Sequence, residues 1–139
     1  MARRYITVKE RKLIIQRAQR RCEYCKCPMD VSTQSFAFDH IDPVSAGGET
    51  DLDNLAFTCG GCNNHKHKKV SALDPISQIT IPLYNPRQQD WHDHFSWNED
   101  FSEVVGQTAT GRATVEALKL NRLGVINIRK LLRLVGRHP

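Results

Sequence analysis

The pattern of apolar and polar positions predicts two helices and two short strands in the first half of the chain. Apolar residues at helical spacing, behind a Thr-x-x-Glu capping box, predict a helix over residues 8–20. Alternation predicts a strand over 35–40, and a return strand follows at 56–58. Proline and paired glycines predict a loop over 41–50, and helical spacing resumes over 63–70.

The second half of the chain begins with a weak pattern. Three prolines over 74–111 predict an extended path, and the aromatic segment 91–97 is expected to pack its tryptophans in a core. We therefore predict a first domain over residues 1–73 and a C-terminal extension over 74–139, in which the aromatic segment precedes two helices.

The C-terminal helices are predicted over 114–123 and 125–135, with Gly124 between them. The second helix has an apolar stripe that includes Leu131 and Val135, while most of its basic residues lie off the stripe. Such a helix is expected to pack on its own domain or on a second copy of the chain, and so a homodimer is possible.

Composition is that of an ordinary globular protein, with 40% hydrophobic and 25% charged residues in a chain of 139. No apolar run approaches the length of a membrane helix, and the N-terminus lacks the apolar segment of a signal peptide. We expect no membrane association and a cytoplasmic location. Cysteines in a reducing compartment are more often metal ligands than disulfides.

The net charge of +5 is unevenly distributed. Residues 1–26 have a net charge of +7, residues 27–111 have −8, and residues 112–139 have +6. Basic ends around an acidic middle suit a protein that binds a polyanion while its carboxylates face cations. Solvated basic helix faces are the alternative interpretation.

Two Cys-x-x-Cys pairs, Cys22/Cys25 and Cys59/Cys62, indicate one tetrahedral metal site. Structural zinc is the expected ion, and iron is the minor alternative. A site closed by four thiolates has no open position for catalysis, so this ion is expected to stabilise the fold. Cys27 has no partner in the pattern, and we expect it either to stay outside the site or to compete for the metal.

The segment between the cysteine pairs and just beyond contains side chains suited to metal binding or proton transfer. Four of them are expected to converge, because the metal site holds the strand, the turn and the helix in one small volume: Asp39, His40, Asn54 and Asn63. Three lysines follow and are expected to bind DNA phosphates: Lys66, Lys68 and Lys69.

Together, these motifs resemble the HNH endonuclease family over residues 22–69. The matching elements are Cys22-x-x-Cys25, Asp39-His40-Ile41-x-Pro43, Gly47-Gly48-x-Thr50-x-x-x-Asn54-Leu55 and Cys59-x-x-Cys62-Asn63-x-x-Lys66. The resemblance implies an α+β fold with a ββα-metal, treble-clef-like core. In the variety with four cysteines a Zn(Cys)4 site stabilises that core, here with a basic N-terminal helix and C-terminal helices added.

The resemblance also implies roles for the enclosed residues. Asp39 would bind a catalytic Mg²⁺ or Mn²⁺ ion, and His40 would be the general base that deprotonates water. Asn54 would tie down the loop and orient the histidine. Asn63 occupies the place of the family's final histidine and would be the second ligand of the ion.

Asn63 is a departure from the family's most frequent pattern, since an asparagine replaces a histidine in the last position. His65 or His67 could therefore substitute for Asn63 or assist it in binding the ion.

The function expected from these features is that of a metal-dependent DNA endonuclease, which nicks or cuts both strands. A non-catalytic, zinc-stabilised nucleic-acid-binding module is the alternative, but it would not require the Asp39–His40 pair. A protein-interaction module of the RING type fits the cysteines only, and the chain has too few spaced ligands for the second zinc site of that fold.

Overall fold

A computed structural model describes residues 4–139, which form five α-helices and three two-stranded antiparallel sheets. This arrangement confirms the predicted α+β class. The chain divides into two units. The first consists of the chain through Val70 together with Asn85–Gln88, and the second consists of Ser71–Tyr84 and Gln89–Pro139. Their correspondence to functional domains stays a prediction.

The first unit contains two helices and one sheet. Helix α1 spans Val8–Arg17, strand β1 spans Ala37–His40, strand β2 spans Leu55–Thr58, and helix α2 spans Gly60–Lys66. The two strands pair in antiparallel register, so that residue 39 faces residue 56. Each element lies within or close to its predicted range, although α2 begins earlier than residue 63.

The bounds of α1 follow from its caps. Thr7 Oγ1 accepts a hydrogen bond from Glu10 N at 3.1 Å, and Glu10 Oε1 accepts one from Thr7 N at 3.0 Å, as in a capping box. The helix ends at Arg17 rather than at residue 20, because Gln19 and Arg20 have left-handed backbones with φ of 55° and 60°.

The core of the first unit joins α1 to the sheet. Ile14, Leu55 and Phe57 are almost fully buried together. The rings of Phe36 and Phe38 lie on Phe57, with centroids 4.8 and 5.7 Å away. Burial of each large apolar side chain stabilises the fold by about 1.5–3 kcal/mol, so this cluster fixes α1 against the two strands.

A buried carboxylate connects the first cysteine pair to β2. Glu23, which lies between the two cysteines, accepts a hydrogen bond from Phe57 N at 2.8 Å and forms an ion pair with Arg87. Arg87 also donates to the carbonyl of Leu55 at 3.2 Å. The segment Asn85–Gln88 thus belongs to the first unit, although it is distant from the rest of the unit in sequence.

The second unit contains two hairpins and three helices. Its elements are β3 (Ser71–Leu73), β4 (Thr80–Pro82), α3 (Trp91–His94), β5 (Phe95–Trp97), β6 (Val104–Gly106), α4 (Ala109–Leu118) and α5 (Leu123–Leu134). Strand β3 pairs with β4, and β5 pairs with β6. The region predicted as an extended path is thus largely hairpin. The expected packing of the tryptophans is observed, with the rings of Trp91 and Trp97 at 5.2 Å.

Helix α4 begins at Ala109 rather than at residue 114. Thr108 caps it by accepting a hydrogen bond from Gly111 N at 3.0 Å. Glycine is a poor helix former, so Gly111 masks the start of the helix in the sequence. The structure requires glycine here, because a Cβ would lie 2.0 Å from the carbonyl oxygen of His94. The helix ends at Leu118, because its C-cap Lys119 has a left-handed backbone, whereas Gly124 lies inside α5.

Helix α5 packs through Leu132, a member of the predicted apolar stripe, and through Arg129, which lies off it. Arg129 is buried, and its guanidinium donates to the carbonyls of Ser102 at 2.9 Å and Leu120 at 2.8 Å. Leu131 and Val135 are instead 60% and 68% exposed. The side chain with the most hydrogen-bonding groups lies inside because unpaired carbonyls of the second unit accept from it.

In the part of the chain that the structure describes, no helix has the length and apolar character needed to cross a membrane.

A second ion pair stabilises the second unit. Arg112 donates to both carboxylate oxygens of Asp74, each at 2.9 Å, and Asp74 has no exposed surface. The backbone amides of Ile76 and Ser77 also donate to this carboxylate, at 3.3 and 3.2 Å. The side-chain hydrogen bonds from Arg112 hold the pKa of Asp74 well below its usual range.

Asp74→Asn is expected to destabilise the second unit at neutral pH. A carboxyl with a lowered pKa in the folded state stabilises the protein above its unfolded pKa of about 3.9, and this contribution is lost as the pH falls through the folded value. Urea unfolding should therefore give a lower free energy of unfolding for Asp74→Asn than for the wild-type protein at pH 7, and this difference should shrink at acid pH. Glu116→Gln, which removes an exposed pair with Lys119, is the control and should change stability by less than about 0.5 kcal/mol. An equal effect of both substitutions would contradict this account.

Candidate functional site

The four cysteines of the two pairs form one cluster. The Sγ atoms of Cys22, Cys25, Cys59 and Cys62 all lie within 4.8 Å of one another, and all four residues are buried. The Sγ atoms of Cys25 and Cys59 are 3.6 Å apart. In each pair the second amide points at the first sulfur, at 3.5 Å for Cys25 N and 3.4 Å for Cys62 N.

This cluster fits a structural zinc ion. Sulfurs at about 2.3 Å from zinc in a tetrahedron are about 3.8 Å apart, close to the 3.6 Å between the Sγ atoms of Cys25 and Cys59. Burial raises the pKa of the Cys22 thiol, and hydrogen bonds with the neighbouring thiols, that of Cys22 first, raise the pKa of Cys62. Several thiolates can therefore share this volume only around a cation.

The cysteine cluster sets the position of α2. Cys59 follows β2 directly, and it is also the N-cap of α2. Any ion bound by the four sulfurs therefore joins the end of the sheet, the start of the helix and the first cysteine pair. Cys27 lies outside the cluster, with its Sγ 3.6 Å from the carbonyl oxygen of Pro28.

Three of the predicted catalytic residues line one cleft. A depression of about 980 Å³ in the first unit has Asp39, His40 and Asn63 in its wall. Adjacent residues on a flat strand point to opposite faces, but β1 ends at His40, which allows both side chains to reach the cleft. Asn54 is not in the cleft wall.

Asp39 is buried and forms an ion pair with Lys66. The Lys66 Nζ lies 2.9 Å from Asp39 Oδ2 and donates to the carbonyls of His40 at 3.3 Å and Ile41 at 3.2 Å. The contact is a close ion pair, although Asp39 Oδ2 has no hydrogen bond of good geometry. Burial raises the pKa of Asp39, and the Lys66 charge acts in the opposite direction.

His40 is positioned by a hydroxyl from the following loop. Its Nε2 lies 2.8 Å from Thr50 Oγ1, and Thr50 is 8% exposed. Since the threonine is buried, this hydrogen bond fixes the imidazole ring relative to the loop.

Asn54 holds that loop together. Its Oδ1 accepts from Asp42 N at 2.9 Å, and its Nδ2 donates to the carbonyls of Asp42 at 3.0 Å and Glu49 at 2.7 Å. Gly48 lies in the same turn, where a Cβ would be 1.8 Å from the Asp42 carbonyl oxygen. The amide and the glycine together define the path of the chain from β1 to Thr50.

The end of α2 contributes unequally to the cleft. His67 and Lys68 are in the cleft wall, whereas His65 and Lys69 are not. Lys69 instead donates to the His65 carbonyl at 2.9 Å. Lys66 is 1% exposed and faces Asp39 rather than solvent. Of the three lysines expected to bind phosphates, Lys68 and Lys69 are therefore the exposed ones.

Comparison with known proteins agrees with this geometry. Residues 22–69 match the family model described as HNH endonuclease. The match covers about a third of the chain, and it confirms the resemblance for the HNH segment. Searches of curated proteins and of solved structures found no significant match. The HNH segment indicates a nuclease or nucleic-acid-binding function, and the cysteine cluster within it is a candidate zinc site.

Sequence reasoning did not assign several residues that shape the site. Thr50 stands in the Gly-Gly-x-Thr motif, which is the signal that could have identified it. Arg11 lines the cleft but looks like any basic residue of an exposed helix face. The partnership of Glu23 with Arg87 had no signal, because these residues are far apart in the sequence.

Cys59→Ser is expected to lose bound zinc and the ordered fold of the first unit, since it removes one of the four thiolates of the cluster. Metal content by mass spectrometry of the purified protein and an amide NMR spectrum measure both effects. Cys27→Ser is the control, because Cys27 is outside the cluster. It should keep one zinc per chain. A folded Cys59→Ser protein with a full zinc content would contradict this assignment.

Proposed function

We propose that the protein is a metal-dependent endonuclease that hydrolyses phosphodiester bonds of DNA, with residues 1–73 as its nuclease domain and 74–139 as an extension. One observation supports this most directly. Asp39, His40 and Asn63 line a single cleft inside the HNH segment. A carboxylate, an imidazole and an amide in one open depression are suited to metal-assisted hydrolysis.

The donor atoms at this cleft fit a divalent ion such as Mg²⁺ or Mn²⁺. Carboxylate and amide oxygens are the ligands such ions prefer, and Asp39 Oδ2 is a buried oxygen outside any well-formed hydrogen bond. Asp39 and Asn63 would hold the ion, and His67 in the same wall is a further candidate ligand. When bound, the ion supplies positive charge beside the phosphate and the leaving 3′ oxygen.

His40 acts as the general base. With a typical pKa near ~6.5, an imidazole accepts a proton at neutral pH. His40 takes a proton from water, the water oxygen forms a bond to phosphorus, and the bond between phosphorus and the 3′ oxygen breaks. The products are a 5′-phosphate and a 3′ oxygen that takes up a proton from solvent.

The surrounding residues position this machinery. Thr50 holds the His40 ring, and Asn54 holds the loop on which Thr50 lies. Lys66 stabilises the charged form of Asp39 against burial, and this role replaces the DNA contact expected from the sequence. Zinc in the cysteine cluster would fix β1 and β2 relative to α2, and Lys68 and Lys69 with the basic ends of the chain would bind phosphates.

His40→Ala is expected to reduce nicking of supercoiled plasmid by about 10²–10⁴-fold in Mg²⁺ or Mn²⁺, since it removes the base alone. Zinc content and thermal unfolding should stay at wild-type values. His65→Ala is the matched control, because His65 is exposed and outside the cleft wall, and it should keep its activity.

Two outcomes would contradict the proposal. Undiminished nicking by His40→Ala would exclude this residue as the base. Intact plasmid with the wild-type protein in every divalent ion, together with good DNA binding, would favour the alternative of a non-catalytic, zinc-stabilised nucleic-acid-binding module.

The proposal includes a homodimer formed through α5. Leu131 and Leu134, at i and i+3 on this helix, are 60% and 83% exposed, and Leu123 two turns earlier is 74% exposed. Exposed apolar side chains on one helix are a candidate interface. A dimer would present two clefts to a duplex and so permit cleavage of both strands, whereas a monomer would nick.

Leu131→Glu is expected to convert a dimer to a monomer in sedimentation velocity runs over a range of protein concentrations, since it places a charge on the apolar face. Leu73→Glu, which alters an exposed leucine of β3, should leave the mass unchanged. A wild-type protein that sediments as a monomer at all concentrations would rule out the dimer.

A further inference from the structure

We infer that Arg11 is a phosphate-binding residue, which holds the DNA backbone in the cleft beside Asp39 and His40. This inference rests on the proposed function, and it adds to it a contact from a helix outside the HNH segment. Arg11 lies in α1, and its side chain is part of the cleft wall that contains Asp39, His40 and Asn63.

A ring contact fixes the Arg11 side chain. Its guanidinium carbon lies 5.8 Å from the centroid of the Phe38 ring. Phe38 directly precedes Asp39 on β1, and its own ring packs on Phe57 of the core. This cation–π contact favours a position of the guanidinium over the strand that leads to Asp39.

The charge of Arg11 is not neutralised within the protein. Arg11 is exposed, and no carboxylate among residues 4–139 forms an ion pair with it. The other arginines of this region differ. Arg4 donates to both oxygens of Glu10 at 2.8 Å, and Arg17 donates to the Leu55 carbonyl. Among the arginines that the structure describes at positions 4, 11 and 17, Arg11 thus keeps both its charge and its donors for a ligand in the cleft.

The chemistry of this wall matches a phosphodiester. A guanidinium has five N–H donors in a planar fork, which can bind two phosphate oxygens at once. Lys68 contributes a second cation from the turn after α2. Cations from two different elements, with Asp39 and His40 in the same wall, suit an extended polyanion better than a single small anion.

The test measures DNA binding of Arg11→Gln and of Lys12→Gln, both in the His40→Ala background so that binding is read without cleavage. Lys12 is the matched control, because it is the adjacent exposed cation of α1 and does not line the cleft. Fluorescence anisotropy of a labelled duplex between about 50 and 200 mM salt gives the affinity and its salt dependence.

Arg11→Gln should weaken binding about tenfold and lower the slope of log K against log salt by about 0.9, since one phosphate contact is lost. Lys12→Gln should stay within about twofold of its parent. Arg11→Lys should keep the salt slope but recover only part of the affinity, because a lysine lacks the planar pair of donors. Zinc content and thermal midpoints report that each variant folds.

An unchanged slope in Arg11→Gln, or an equal change in Lys12→Gln, would overturn the inference. The outcome is separable from that of the proposed function. Cleavage by the wild-type protein with no effect of Arg11 on binding would sink the inference alone. If binding depends on Arg11 but the wild-type protein does not cleave DNA, the role of Arg11 in binding stands and the proposed nuclease activity is excluded.

Discussion

The first unit depends on four sulfur atoms held within one small volume. The unit has only a two-stranded sheet and two helices, and its fully buried cluster is small. A metal bound by thiolates can add stability to a small unit, and the four sulfurs form a candidate site for one. Because Cys59 is at once a member of the cluster, the end of the sheet and the cap of α2, the same contact that stabilises the fold also sets the geometry of the cleft.

Burial divides the polar residues of the HNH segment into two layers. Lys66 and Asp39 lie inside, where burial raises the pKa of the Asp39 carboxyl and the charge of the Lys66 ammonium opposes this rise. His40 and Asn63 lie nearer to solvent, where a substrate can reach them. The inner pair thus places a carboxylate and an ammonium side by side below the cleft, and the outer pair places an imidazole and an amide in its wall.

Local sequence signals predicted most of the elements that surround the site. The capping box at Thr7 marked the start of α1, and the cysteine spacing gave the cluster. The inward turn of Lys66 could not be predicted, because a lysine at the end of a short helix is usually solvated and its two carbonyl partners come from the other end of the segment. The burial of Arg129 in α5 escaped prediction for the same reason, since its acceptors lie in loops.

The return of Asn85–Gln88 to the first unit makes that unit discontinuous along the chain. Glu23 lies within the first cysteine pair and is buried. Its ion-pair partner, Arg87, follows residues 71–84 of the second unit in the sequence. A fragment that ends just after Cys62 would therefore keep Glu23 buried beside the cysteine cluster but lose Arg87, its ion-pair partner. The smallest autonomous piece of this protein is thus defined by a pairing of charges and not by the limits of a motif.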